Sequence, residues 1–111
     1  MAYYKPVRQS LKSKKWEKFR DKILRKYDYL CQESLRYGIS ESAEMVHHIY
    51  PVSEYPELEF VEWNCLPLTN KKHNTFHDRT NDKVIAQGLF WQKKQKREFL
   101  NFYKNRKEEF L

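Results

Sequence analysis

The chain has 111 residues, of which 33% are charged and 16% aromatic, and a net charge of +7. This length predicts one domain with a modest core, and the composition excludes both a disordered polar tract and a membrane protein, since no apolar run approaches the ~18 residues of a spanning helix. Two cysteines, Cys31 and Cys65, cannot build a disulfide framework or a four-thiolate zinc site, and the positive charge favours a polyanionic partner.

Residues 1–12 read as a flexible arm, with Pro6 breaking local structure. The first ten residues lack the apolar stretch and small-residue cleavage site of a signal peptide, so a cytoplasmic location is expected. From Ser13, "SKKWEKFRDKILRKY" places Trp16, Phe19, Ile23, Leu24 and Tyr27 three and four residues apart. That spacing predicts an amphipathic helix with Ser13 as its cap. Its basic polar face is either solvated or turned toward phosphates.

"YLCQESLRYGIS" reads as a turn region, with Gly38 suited to a tight turn. "AEMVHHI" has the length and apolar content of a strand closed by Pro51, and residues 50–63 read as a loop with a short helical turn after Pro56. "NCLPL" predicts a second short strand, held to an edge by Pro67. Thr69 or Asn70 then caps a helix running through His77 to about Arg79. The tail divides at Gly88 into a short helical segment, "NDKVIAQ", and a longer helix with Trp91, Phe99, Phe102, Tyr103 and Phe110 on roughly one stripe.

All four histidines fall between positions 47 and 77. His73 and His77, at i and i+4 on the predicted helix, share one face and suit a single divalent metal. A third ligand from His47 would leave open positions for water or a phosphate oxygen, as a catalytic site needs. Neighbours on a regular strand point to opposite faces, so His47 and His48 serve one site only if the strand ends or kinks there. An imidazole beside such a metal, with an ordinary pKa of ~6.5, suits a general base.

The span "AEMVHHIYPVSEYPELEFVEWNCLPLTNKKHNTFH", read with the helix before it, resembles the HNH endonuclease family over residues 13 to about 79. The family's His, Asn, His order reads here as His48, Asn64 and His73. The resemblance implies a mostly helical α+β fold in a single domain: the N-terminal amphipathic helix plus a ββα-metal finger over 13–79, followed by a helical C-terminal extension over 80–111. It implies His48 as general base, Asn64 as the residue that holds the base-bearing loop, and His47, His73 and His77 as ligands of one divalent metal ion. Magnesium, manganese, nickel, cobalt and zinc all stay open, although neutral imidazoles suit the last three better than hard magnesium. Lys71, Lys72 and Arg79 flank the site on the same helix and read as phosphate contacts.

One departure stands out. Many members brace the finger with a zinc held by two Cys-x-x-Cys pairs, and the matching positions here are Cys31, Ser34, Thr69 and Lys72. With three thiols missing, that zinc is not expected, and the aromatic helices at both ends take over the bracing.

The implied activity is metal-dependent hydrolysis of DNA phosphodiester bonds with little sequence specificity, leaving 5′-phosphate and 3′-hydroxyl ends. The partner is DNA, with no membrane involved; monomer and homodimer stay open, as does RNA as substrate. Compact members are frequent in phages and mobile elements, some of them beside DNA-packaging machinery. The alternative is a metal-stabilised nucleic-acid-binding or adaptor module without turnover. His48 with Asn64 argues against it, because a structural metal has no use for a base and prefers four closed ligands.

Overall fold

The computed structural model describes residues 13–77 and 84–109; the expected arm, Arg79 and Phe110 lie outside them. The chain groups into two compact units, Met1–His73 and Asn74–Leu111. In the first, helix α1 spans Lys14–Lys26, and the Ser13 hydroxyl accepts the Trp16 N–H at 3.1 Å. The cap and the apolar spacing both match expectation, and the apolar stripe buries Trp16 and Ile23.

After α1 the backbone reverses through Asp28 and Tyr29, both in the left-handed region (φ 54° and 60°), with the Tyr29 N–H donating to Leu24 O at 2.8 Å. The segment read as a turn then forms a short helix, α2, over Gln32–Arg36. Five residues are too few to carry a hydrophobic period, so the helix is set by contacts. Glu33, 1% exposed, receives both arms of the Arg36 guanidinium, at 3.0 and 3.1 Å. Gly38 makes the expected tight turn at φ 77°.

Strand β1, Met45–His48, pairs antiparallel with β2, Cys65–Leu68, in the register Met45 to Leu68 through His48 to Cys65. Pro67 stands opposite Val46. In a two-stranded sheet every strand is an edge, so the missing N–H of Pro67 costs no second ladder. The connection carries 3₁₀ turns at Pro56–Leu58, as expected, and at Glu62–Asn64. Helix α1 lies against both strands. Its Trp16 and Ile23 join Val46 and Cys65 in a core flanked by Phe19, Leu24, Tyr27 and Phe60, an apolar burial worth ~25 cal/mol per Å².

Helix α3 covers Asn70–Asn74 and completes a ββα order. Of the two candidate caps, Thr69 takes the role: its Oγ1 accepts the Lys72 N–H at 3.0 Å, while Glu44 Oε1 accepts the Asn70 N–H at 2.9 Å. The helix ends five residues before the expected Arg79, since the chain past Asn74 turns into an isolated antiparallel bridge between His77 and Val84. Bridge pairing takes up backbone groups that a longer helix would use.

In the second unit, the Ile85 N–H donates to Phe76 O at 2.8 Å and leads into α4, Ala86–Lys94, followed by α5, Lys96–Glu109. The expected break at Gly88 falls instead at Gln95, and Gly88 lies buried inside α4. A Cβ there would meet Val84 Cγ1 at 2.5 Å and Phe76 O at 2.9 Å, so the glycine serves close approach rather than a turn. The break also divides the aromatic stripe, leaving Trp91 on α4 and Phe99, Phe102 and Tyr103 on α5. Among the described residues no helix is long and apolar enough to cross a membrane.

Candidate active site

β1 ends at His48, where the chain leaves the ladder and its two histidines part company. His47 is buried (4% exposed), and its ring meets that of His73 at 5.0 Å between centroids, inclined by 62°. His48 turns to other partners. Its ring lies against the Trp16 indole at 4.9 Å and 38°, and its Nε2 is 3.1 Å from the Glu59 carbonyl oxygen. His48 is the last residue of β1, so the condition for both histidines to serve one site, a strand that ends there, is met.

A carbonyl can only accept, so the proton of neutral His48 sits on Nε2 and the lone pair on Nδ1. Burial pushes the His48 pKa below its ordinary value, partly opposed by the Glu59 backbone hydrogen bond and the Glu59 carboxylate. Near neutral pH the ring is therefore uncharged, the state that accepts a proton.

Asn64 is fully buried and spends its amide on the β1–β2 connection. Its Oδ1 accepts the Tyr50 N–H at 2.8 Å, and its Nδ2 donates to Tyr50 O at 3.1 Å and Leu58 O at 3.3 Å. The Ile49 N–H adds a bond to Asn64 O at 2.8 Å. One side chain thus ties the residues just after His48 to the turn just before Glu59.

Among the described residues, His47, His73 and His77 are the group of side chains that can hold a metal ion, with one ring nitrogen from each within 4.8 Å of the others. Three neutral nitrogen donors fit a divalent borderline ion and leave coordination positions open. Only His73 is on α3; His77 lies past its end, so the two do not share one helical face as expected. Lys71 is exposed and Lys72 half-buried on the same short helix.

The chain is similar to a solved structure. That is the crystal structure of the HNH endonuclease of the deep-sea thermophilic bacteriophage GVE2 with manganese ion, 30% identical, covering 62% of this chain and 75% of that one with a TM-score of 0.60. The chain belongs to the HNH endonuclease family. No family profile and no curated protein matches it.

This HNH chain is accordingly an endonuclease, a hydrolase of phosphodiester bonds, with a histidine cluster that could hold one divalent metal ion. Its fold is the mostly helical α+β arrangement expected, with the two-stranded sheet and α3 forming the ββα element. The four positions matching the Cys-x-x-Cys pairs do other work. Cys31 is buried, the Ser34 hydroxyl donates to the Glu41 carboxylate, Thr69 caps α3, and the Lys72 ammonium lies 5.8 Å from the Tyr37 ring.

Two partners of His48 escaped the sequence reading. Trp16 looked like any core residue of an amphipathic helix, and Glu59 contributes a backbone carbonyl that no side-chain pattern marks. Glu44, which receives the first N–H of α3, is 26 residues upstream of it and equally silent in sequence.

Proposed function

We propose that this chain is a DNA endonuclease in which His47, His73 and His77 hold the metal, His48 is the general base and Asn64 fixes the backbone around it. The observation that carries this reading is the division at the end of β1. His47 belongs to the metal-capable group, while the next residue offers an Nδ1 lone pair on a ring whose other nitrogen is committed to Glu59 O. When bound, the divalent ion supplies positive charge against the charge that develops on the phosphate and the leaving oxygen.

His48 Nδ1 accepts the proton of a water whose oxygen attacks phosphorus. The bond from phosphorus to the 3′-oxygen breaks, leaving 5′-phosphate and 3′-hydroxyl ends, the departing oxygen taking its proton from solvent. Lys71, Lys72 and Arg79 steer the phosphate chain by charge, with little sequence preference, because phosphate contacts position a duplex without reading it. The manganese in the phage enzyme supports a divalent ion here and leaves its identity to experiment.

The test is cleavage of supercoiled plasmid by metal-stripped protein titrated with magnesium, manganese, nickel, cobalt and zinc, with His48→Ala alongside. The expected result is metal-dependent cutting that drops by ~10²–10⁴ in the variant, as for a lost general base, with metal affinity retained. A variant that loses metal binding would contradict the assignment of roles. Binding of DNA and metal with no cutting under any ion would favour the adaptor reading.

A further inference from the structure

We infer that Trp16, on a helix outside the ββα element, is a positioning residue for His48; the inference rests on the proposed role of His48 as base. The geometry restrains the imidazole in two ways. The Trp16 indole lies 4.9 Å from its centroid, and the Glu59 carbonyl holds Nε2 at 3.1 Å. The first opposes tilting of the ring, and the second opposes rotation about its bond to Cβ.

The two restraints are themselves joined. Phe60, the residue after Glu59, packs edge-on against Trp16 at 6.2 Å and against Phe19 at 5.6 Å, with the Lys15 ammonium over its ring, 4.3 Å from the centroid. Trp16 therefore touches His48 directly and also seats the residue next to the carbonyl that fixes its tautomer. Ser13 and the first turn of α1 set where the indole sits, since the Ser13 cap binds the N–H of Trp16 itself.

An ordinary core tryptophan would need none of this. Trp16 is 8% exposed and could have met only aliphatic side chains, yet one face of the indole is given to the one histidine outside the metal-capable group. A base must meet its proton within hydrogen-bond reach, and misplacement by 1 Å can cost 10²-fold in rate. The stack gives α1 a role in turnover beyond burying the sheet.

The experiment compares Trp16→Leu and Trp16→Phe with wild type in plasmid cleavage, below the unfolding temperature of each, with His48→Ala beside them. Trp16→Leu is expected to lower kcat by ~10–100-fold, with KM for DNA and affinity for manganese within about 2-fold of wild type, and Trp16→Phe to recover most of the rate. In nuclear magnetic resonance spectra of the wild type, the His48 ring protons should be shifted upfield by the indole and should show cross-relaxation with it. Trp16→Leu should remove that shift and broaden the Nε2–H signal.

A folded Trp16→Leu with unchanged kcat would overturn the inference, as would Trp16→Phe falling as far as Trp16→Leu. Absence of the upfield shift and cross-relaxation in the wild type would overturn it too, even if the leucine variant failed to fold. These outcomes leave the base reading standing. That reading fails separately, if His48→Ala cuts at the wild-type rate while the ring signals of His48 still respond to Trp16.

Discussion

Asn64 grips Tyr50 by both backbone groups, accepting its N–H at 2.8 Å and donating to its carbonyl at 3.1 Å, from a site with no solvent exposure. Asn64→Ala would take the amide away from both Tyr50 backbone groups, at ~1–3 kcal/mol for each bond lost without replacement, while Leu58 O keeps the Val61 N–H at 3.3 Å. The variant should unfold at lower denaturant concentration by at least ~2 kcal/mol, and below its transition it should cut DNA more slowly. Asn64→Asp keeps the acceptor and loses the donor, so its stability should fall short of wild type as well. Equal denaturation midpoints for wild type and Asn64→Ala would contradict the clamp.

His47 and His73 face each other ring to ring. Changing either to alanine should weaken manganese binding by calorimetry more than 10-fold, the usual scale for disturbing a metal's surroundings, while circular dichroism keeps its helical signal. Retained affinity in either variant would remove that residue from the ligand set.

Thr69 caps the helix on which His73 rides. Thr69→Ala should cost about 1 kcal/mol of stability, the typical price of a lost N-cap. Because the helix has only five residues, loosening its first turn should also weaken metal affinity; Thr69→Ser should restore both. A melting curve and a metal titration on the three proteins decide the point.

Gly88→Ala should destabilise the second unit by ~1–3 kcal/mol, as overpacking does. The added methyl would come within 2.9 Å of Phe76 O, which is already bonded to the Ile85 N–H, so the carbonyl cannot give way without losing that bond. Hydrogen exchange should show the loss at the amides of Ile85 and α4 first. Unchanged exchange there would show that the 76–85 segment yields at no cost.

Burial pushes the Cys65 thiol up to about 12, with the Glu62 carboxylate adding to the effect and Lys26 opposing it. At pH 8 only ~1 in 10⁴ of such thiols is ionised, and thiolate is the reactive form. Iodoacetamide should leave Cys65 unmodified in folded protein and alkylate it once the chain is unfolded. Rapid native alkylation would mean that β2 opens.

The sequence by itself determined what short-range chemistry decides. Ser13 and Trp16 meet across one helical turn, Thr69 and Lys72 across another, Pro51 follows the first short strand, and Pro67 lies inside a second one that can only be an edge. The histidine spacing was equally legible, and so was the family. Tertiary structure decided the rest, because it depends on contacts between residues distant in the chain. The bridge from His77 to Val84 ends α3 early, Glu33 and Arg36 make a helix where composition reads as a turn, and Gly88 answers to Phe76 rather than to a bend. The tautomer of His48 is the sharpest case: it depends on a carbonyl eleven residues away, and backbone oxygen is the same at every position of every sequence.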